Sequence, residues 1–491
     1  MQHRAPADTF NFTVDEGTWI NLDVSPDGKT IAFDLLGDIY TLPISGGKAR
    51  PIATGLAWEV QPRFSPDGKH ISFTSDRAGG DNIWIMKSDG SEPSQVTKES
   101  FRLLNNAVWM PDGDYLIAKK HFTSTRSLGA GEMWLYHRSG GAGVKLTTRK
   151  NDQLDVGEPA VSPNGRYLYF SEDMSGGRFF RYNKDPNTQI YVIRRLDLEK
   201  DKLINYITGQ GGAVRPQVSP DGKYVSCLRR IRTKTILFLH NTETGEQWPI
   251  YDELSKDQQE TWATFGVYPG YDWMPDGKSI VIWAKGKIVN IHIASRNAKT
   301  IPFSVDVSIS IAKAQLTRQE TFSEKFTAKM IRHATTSPDG KWLIFYAAGH
   351  IWKKKLPNGK PKRLTKDSNV FEFEPAISPD GKWVAYTTWN DTALGSIRRG
   401  KLKGGSSVAV TSRKGYFYSP SWSPDGVMIV YRRGSGNSAL GFSYGVDPGL
   451  YWIAEFGGDE QMITDEGSDP RFNKAGDRVL YRSWLNGKKA L

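Results

Sequence analysis

The chain has a single cysteine, Cys227, among its 491 residues. An intrachain disulfide and a cysteine-based metal cage are therefore both excluded. Cys227 lies in the apolar run Tyr224-Val225-Ser226-Cys227-Leu228, which predicts a buried core thiol. No run of 18 apolar residues occurs, so no membrane span is predicted. The first twenty residues lack the apolar centre of a signal peptide. A sustained helical period is missing too. Histidines are few, at eight, and none forms the H-x-H pair that would put two imidazoles on one face of a strand. His121 and His137 have no carboxylate at ligand spacing, so no metal site and no cofactor are expected within the chain.

Apolar material is not scarce. Hydrophobic residues make up 38% of the sequence and aromatics 12%, with 16 tryptophans, enough to fill cores and to exclude wholesale disorder. The 49 glycines and 26 prolines are scattered rather than gathered into a linker. A net charge of +12 raises the question of an anionic partner. The charge reads as spread over a solvated surface. Its densest stretches, Arg229-Arg230-Ile231-Arg232 and Lys353-Lys354-Lys355, sit in or beside strand-like segments whose alternate residues face solvent. No nucleic-acid-binding motif accompanies them, and no nucleic-acid partner is expected.

Repetition dominates what is present. Pro-Asp-Gly recurs at Pro26, Pro66, Pro111, Pro220, Pro275, Pro338, Pro379 and Pro424, with Pro163-Asn164-Gly165 as a ninth copy and Lys474-Ala475-Gly476 as a degenerate tenth. The intervals run from 40 to 63 residues, the length of a propeller blade. Proline presets the first corner of a turn, Asp accepts the second, and Gly takes the left-handed conformation that sends the chain back. Alternating strands follow the box, as in Ile71–Ser75, Tyr167–Phe170, Trp342–Tyr346 and Trp383–Tyr386. Third strands (Asn82–Met86, Gln189–Ile193, Leu450–Ile453) and short edges (Gln95–Thr97, Arg363–Thr365) come next. Three or four antiparallel strands per repeat predict an all-β fold of β-propeller blades.

A second proline stands four residues before the box in six copies: Pro62, Pro159, Pro216, Pro375, Pro420 and Pro470. It is expected at the first residue of a strand, where no ladder donor is needed. If that strand is innermost, the preceding Gln61, Glu158, Arg215, Glu374, Ser419 and Asp469 ring the mouth of a central channel, and all of these but Ser419 are candidate binding residues. The segment Lys120 to Arg126 reads as a long basic loop, which makes Lys120, His121 and Arg126 further candidates. Gly441-Phe442-Ser443-Tyr444-Gly445 matches G-x-S-x-G, but its Gly- and Pro-rich flanks do not provide the strand and helix of a nucleophile elbow. It reads as a chance match, and no catalytic residue is assigned.

The longest interval, 63 residues, separates Pro275 from Pro338. A boundary near residue 315 gives a first propeller of about six blades over 1–315 and a second over 316–491. Only 15 residues follow Gly476, against the about 25 to 35 that the outer strands of a blade take. The second propeller is therefore expected to be partial, with about four blades, and the chain to be part of a longer one.

Over its whole length the sequence resembles proteins built from TolB-type repeats. Asp15 to Ala49, Lys120 to Gly140 and Phe371 to Ser396 are similar to the N-terminal propeller region of exported amidohydrolases. The resemblance implies tandem propellers followed by a metal-dependent amidohydrolase barrel, the divalent, zinc-like metal and the catalytic residues all lying in that barrel. It also implies a periplasmic or extracellular location. The function expected is a non-catalytic scaffold that shapes substrate access or docks the barrel; the alternative is a stand-alone TolB-like module that binds a peptide or protein.

Overall fold

A computed structural model describes residues 7–100, 103–123, 129–176, 184–312, 322–435 and 445–491. Every regular element it describes is a β-strand. The chain divides into two compact units, Met1–Leu316 and Thr317–Leu491.

Each box stands at the turn between the first and second strands of one antiparallel sheet. In the first copy Ser25 Oγ donates to Asp27 Oδ1 at 2.6 Å, Asp27 Oδ1 accepts from the Lys29 amide at 3.0 Å, and Ser25 Oγ accepts from the Thr30 amide at 2.9 Å. These contacts, the Ser25 hydroxyl first, hold the Asp27 carboxyl below its ordinary range. The same arrangement recurs at Ser65, Ser219, Ser337, Ser378 and Ser423, and at Ser162 with Asn164 as acceptor. The box glycine completes the turn at positive φ, +71° at Gly28 and +67° at Gly340, a region that costs side-chain-bearing residues energy.

Among the described residues of unit 1, six four-stranded sheets follow one another in chain order. Their innermost strands are Leu22–Val24, Glu59–Phe64, Leu103–Trp109, Val156–Val161, Val214–Val218 and Asp272–Trp273. Each innermost strand packs against the next sheet, and the sixth returns to the first. Leu22 donates its amide to the Gly270 carbonyl at 3.0 Å, and Trp283 Nε1 donates to the Gly17 carbonyl at 2.7 Å. Outside the ring, Ala7–Val14 pairs antiparallel with Phe303–Ala312, joining the two ends of the unit. The two clasp strands thus belong to no sheet that carries a box.

Among the described residues, unit 2 holds three four-stranded sheets and one three-stranded sheet. Their innermost strands are Arg332–Thr336, Phe371–Ile377, Phe417–Trp422 and Ser468–Phe472. Cys227 is fully buried in unit 1, and burial pushes its thiol up to about 12. Among the described residues no helix is long and apolar enough to cross a membrane.

The prolines that precede the boxes do not open their strands. They sit inside them, at a β-bulge, as the register shifts between Val60 and Arg63, Gly157 and Ala160, and Phe373 and Ala376 show. A bulge leaves one residue unpaired, so the missing proline amide falls where the ladder has no use for it. The residue before each proline has a positive φ: Gln61 +61°, Glu158 +59°, Arg215 +52°, Glu374 +49°, Ser419 +51° and Asp469 +51°. Asn106 and His333, in copies without the proline, do the same at +53° and +50°. Non-glycine residues rarely adopt this conformation, so specific partners have to hold it.

Candidate functional site

Those partners come from the neighbouring sheets. Asp34 Oδ2 accepts from the Gln61 amide at 2.8 Å, Gln61 Oε1 from the Asn106 amide at 2.8 Å, and Glu158 Oε2 from the Arg215 amide at 2.7 Å. In unit 2 the Ser419 amide donates to Glu374, and Ser419 Oγ donates to Asp469 Oδ1 at 3.1 Å. Five of the candidate binding residues are therefore latches, each joining one sheet to the next. Burial raises the Asp34 carboxyl to about 6 even though it accepts from Gln61 and Asn21.

In unit 1 the latches do not face an open channel. Residues 254–271, between the fifth and sixth sheets, cross this end of the axis and draw hydrogen bonds from around the ring. The Phe265 carbonyl accepts from Gln61 Nε2 at 2.8 Å, the Thr264 carbonyl from Lys119 Nζ at 2.8 Å, and the Tyr268 carbonyl from Arg215 Nε at 2.8 Å. Glu158 Oε1 accepts the Val267 amide at 2.6 Å, and Asn21 Oδ1 the Gly270 amide at 2.7 Å. Burial lowers the Arg215 guanidinium to about 10 against the opposing pull of Glu158. The plug is anchored by Arg230, which is 1% exposed. Its Nη2 meets Asp257 Oδ1 at 2.7 Å and its Nη1 meets Glu260 Oε1 at 2.9 Å. The Arg229–Arg232 stretch is thus not a solvated patch at its centre. Spacing alone could not show this, because two strands and a loop separate both acids from Arg230 along the chain.

Lys120 and His121 are also placed differently from the sequence reading. They belong to the strand Tyr115–Thr123 rather than to a loop, because that strand runs longer than the minimal blade pattern. Lys120 is buried, pairs with Glu99, and lies 4.2 Å from the Trp134 ring centre. His121 is buried between Asp155, with Nδ1 at 3.8 Å from Oδ1, and the Trp262 ring. Asp155 is also bound by Lys119 Nζ at 2.5 Å. Burial alone would raise the Asp155 carboxyl, but the Lys119 charge and His121 hold it low. Arg126, and Ser443 with the rest of 441–444 in the G-x-S-x-G match, lie outside the described residues. No group of three or more His, Cys, Asp or Glu is placed to hold a metal among the described residues.

The open end of the axis is the one that carries the boxes. There the six box prolines of unit 1, Pro26, Pro66, Pro111, Pro163, Pro220 and Pro275, rim a funnel of about 390 Å³. Trp109 and Trp273 stand in its wall, and Asp23, Arg63, Gln217 and Asp272 form its floor. Arg63 Nη1 meets Asp23 Oδ1 at 2.6 Å, and Asp272 Oδ2 accepts the Val24 amide at 3.2 Å. Trp109 Nε1 donates to the Arg63 carbonyl at 3.1 Å, fixing the indole beside the floor. Burial raises the Asp272 carboxyl well above its ordinary range, and the neighbouring Asp23 adds to the effect. Burial raises the Asp23 carboxyl too, against the pull of the Arg63 cation that it faces. None of these floor residues was among the sequence candidates. Asp23 and Asp272 occupy matching places, three residues before their box prolines, and that shared position was the available signal.

With this geometry in view, residues 13–181 match the TolB beta propeller domain family, PD40. Protein Atu1656 of Agrobacterium fabrum is 35% identical over 153 residues, which is 29% of this chain and 50% of that protein. The peptidase YuxL of Bacillus subtilis, itself described as uncharacterized, is 25% identical over 196 residues, 31% of this chain and 29% of that one. A tricorn protease homolog of Saccharolobus solfataricus is 20% identical over 464 residues, 82% of this chain and 42% of that protein. The matches thus span half or less of the length of these relatives. Among solved structures, a putative TolB from Agrobacterium tumefaciens covers 56% of this chain and 95% of its own, at 20% identity and a TM-score of 0.42. Residues 13–181 thus carry TolB-type propeller repeats, and every regular element among the described residues is a β-strand.

Proposed function

We propose that the chain is a non-catalytic recognition scaffold and that the axial funnel of unit 1 receives a peptide or protein segment. The asymmetry of the axis carries this reading: one end is sealed by residues 254–271, and the other opens onto a charged floor between indole walls. A channel with one open end binds rather than conducts. Its walls are held by latches between sheets, so little ordering is left to oppose binding. The Arg63 cation suits a carbonyl or carboxylate of an inserted chain, and the indoles offer apolar surface. The relatives named as a peptidase and a tricorn protease homolog favour a peptide as the ligand.

A second, finer reading rests on the sequence resemblance. It makes this scaffold the propeller region of an exported, metal-dependent amidohydrolase, docking or gating a barrel that holds the divalent metal. Under it, added zinc or manganese leaves this chain inert towards hydrolase substrates.

The peptide reading is tested by exposing the full chain to a random decapeptide library and identifying the retained peptides. One enriched sequence class is expected. Its retention should be lost in Val108→Trp, which fills the funnel wall, and kept in Lys401→Ser. Retention that survives Val108→Trp, or no enrichment at all, overturns the proposal.

A further inference from the structure

The positive charge of this protein is concentrated rather than spread. Residues 341–414 hold fifteen lysines and arginines against five acids, ten of the twelve excess positive charges in the chain. These residues make up most of the first two sheets of unit 2. Between the two sheets lies a groove of about 590 Å³. Trp342, Trp383 and Leu402 supply its apolar walls, and Lys353, Lys401 and Lys403 line it as well.

The repeat itself sets this pattern. Trp342 and Trp383 each follow a box lysine and open the second strand of their sheets. Lys353 Nζ donates to the Leu402 and Lys403 carbonyls at 3.0 and 2.7 Å, so it ties one sheet to the next at the groove. It also lies 5.3 Å from the Trp342 ring centre, and Lys401 Nζ lies 5.6 Å from that of Trp383. Such contacts hold an ammonium beside an indole. Burial pushes the Lys353 amine down, and the Lys362 charge adds to that. Among the described residues, the exposed Lys401 and Lys403 form no salt bridge with a carboxylate.

Flat apolar walls beside uncompensated amines of one sign define their complement: a ring with an apolar face and a negative substituent. An anionic sugar has both, since its C–H face can lie on an indole while its acid group meets an ammonium. The groove's cations are lysines, compact point charges rather than the planar fork that arginine presents to phosphate, and Arg399, 4.2 Å from the Trp383 ring centre, is already paired with Glu455. We propose that this groove binds an acidic oligosaccharide, with Trp342 and Trp383 as its stacking surfaces and Lys401 and Lys403 as its anion contacts. The site lies in unit 2 and does not depend on the peptide reading of unit 1.

Isothermal titration of the full chain tests it with four probes: a uronic-acid trisaccharide, a sulfated trisaccharide, an uncharged trisaccharide and a single-stranded oligodeoxynucleotide. At least one acidic sugar should bind about tenfold more tightly than the uncharged one, and more weakly as salt rises. Which acidic sugar binds better distinguishes a carboxylate from a sulfate source. A Lys401→Ser, Lys403→Ser double variant, altered only at exposed positions, should lose about tenfold in affinity. The proposal is overturned if neither acidic sugar binds, if the uncharged sugar binds equally, if the double variant binds undiminished, or if the oligonucleotide binds more tightly than both acidic sugars.

Discussion

The two units share one repeat and differ in how it is finished. In unit 1 every box glycine stands where a side chain would meet the box proline of the preceding sheet: a Cβ on Gly68 would lie 3.5 Å from Pro26, and onward around the ring one on Gly28 would lie 3.4 Å from Pro275. Unit 2 repeats this arrangement, with a Cβ on Gly381 reaching 3.6 Å from Pro338 and one on Gly476 3.4 Å from Pro424, yet a Cβ on Gly340 would meet nothing within 4 Å among the described residues. The strand Arg332–Thr336 beside it is largely exposed, whereas Leu22–Val24 in the first sheet of unit 1 is buried throughout. The box and its bulge latch therefore set how one sheet follows the next. They do not set closure, which in unit 1 comes from the Ala7–Val14 clasp and from the plug over the axis.

The largest expected break in this difference is at Arg230. Arg230→Met leaves Asp257 buried without its cation and Glu260 with Lys256 alone, at about 3–5 kcal/mol. Hydrogen exchange should rise across residues 254–271 and the inner strands of unit 1 while unit 2 keeps its protection; equal loss in both units would sink the idea of a private plug. Next come the latches. Glu158→Ala removes an acceptor of the Arg215, Val267 and Tyr268 amides and of the Ser171 hydroxyl, at about 3 kcal/mol or more. Glu374→Ala removes a half-buried acceptor of the Ser419 amide, at about 1 kcal/mol. Denaturant titration followed by exchange in each unit compares the two, and equal losses would mean that the plug adds nothing to the latch.

A smaller and symmetric effect is expected at the boxes. Ser65→Ala and Ser378→Ala should each cost about 1 kcal/mol, since the same hydroxyl contacts are lost in both units; unequal losses would show that the repeat is not energetically uniform. The last effect is a change of slope. The raised folded-state carboxyl of Asp272 binds a proton more tightly than the unfolded chain does. Its contribution is thus fully present below the ordinary Asp range and declines as pH rises through the folded value. Asp272→Asn, which mimics the protonated acid, should flatten this decline in the thermal stability of unit 1. An unchanged slope would show that the funnel floor holds an ionised Asp272.

Much of the fold could be read along the chain because the box works within six residues. Ser25, Asp27 and Gly28 satisfy one another locally, so their recurrence marks each sheet and its first turn. The site was less legible. Gln61, Glu158 and Arg215 stand out by their prolines, but whether a polar side chain beside the axis meets solvent or a covering segment depends on residues 254–271. That segment has neither a box nor a strand period. Lys120 and His121 looked like loop residues because the strand holding them exceeds the repeat. Asp23 and Asp272 were hidden because their meeting depends on the sixth sheet returning to the first.

The sequence by itself determined the unit of construction: a short corner whose backbone conformation and hydrogen bonds are settled by neighbours in the chain, repeated at blade-length intervals with apolar alternation between. Only the tertiary structure decided that the six sheets of unit 1 close, that one end of their axis is sealed by a buried Arg230–Asp257–Glu260 anchor, and that charge gathers beside two indoles in unit 2. The physical reason is range. Turn geometry and strand period depend on adjacent residues, whereas desolvation and ion pairing depend on groups tens to hundreds of positions apart, as the 27 residues between Arg230 and Asp257 and the 249 between Asn21 and Gly270 illustrate.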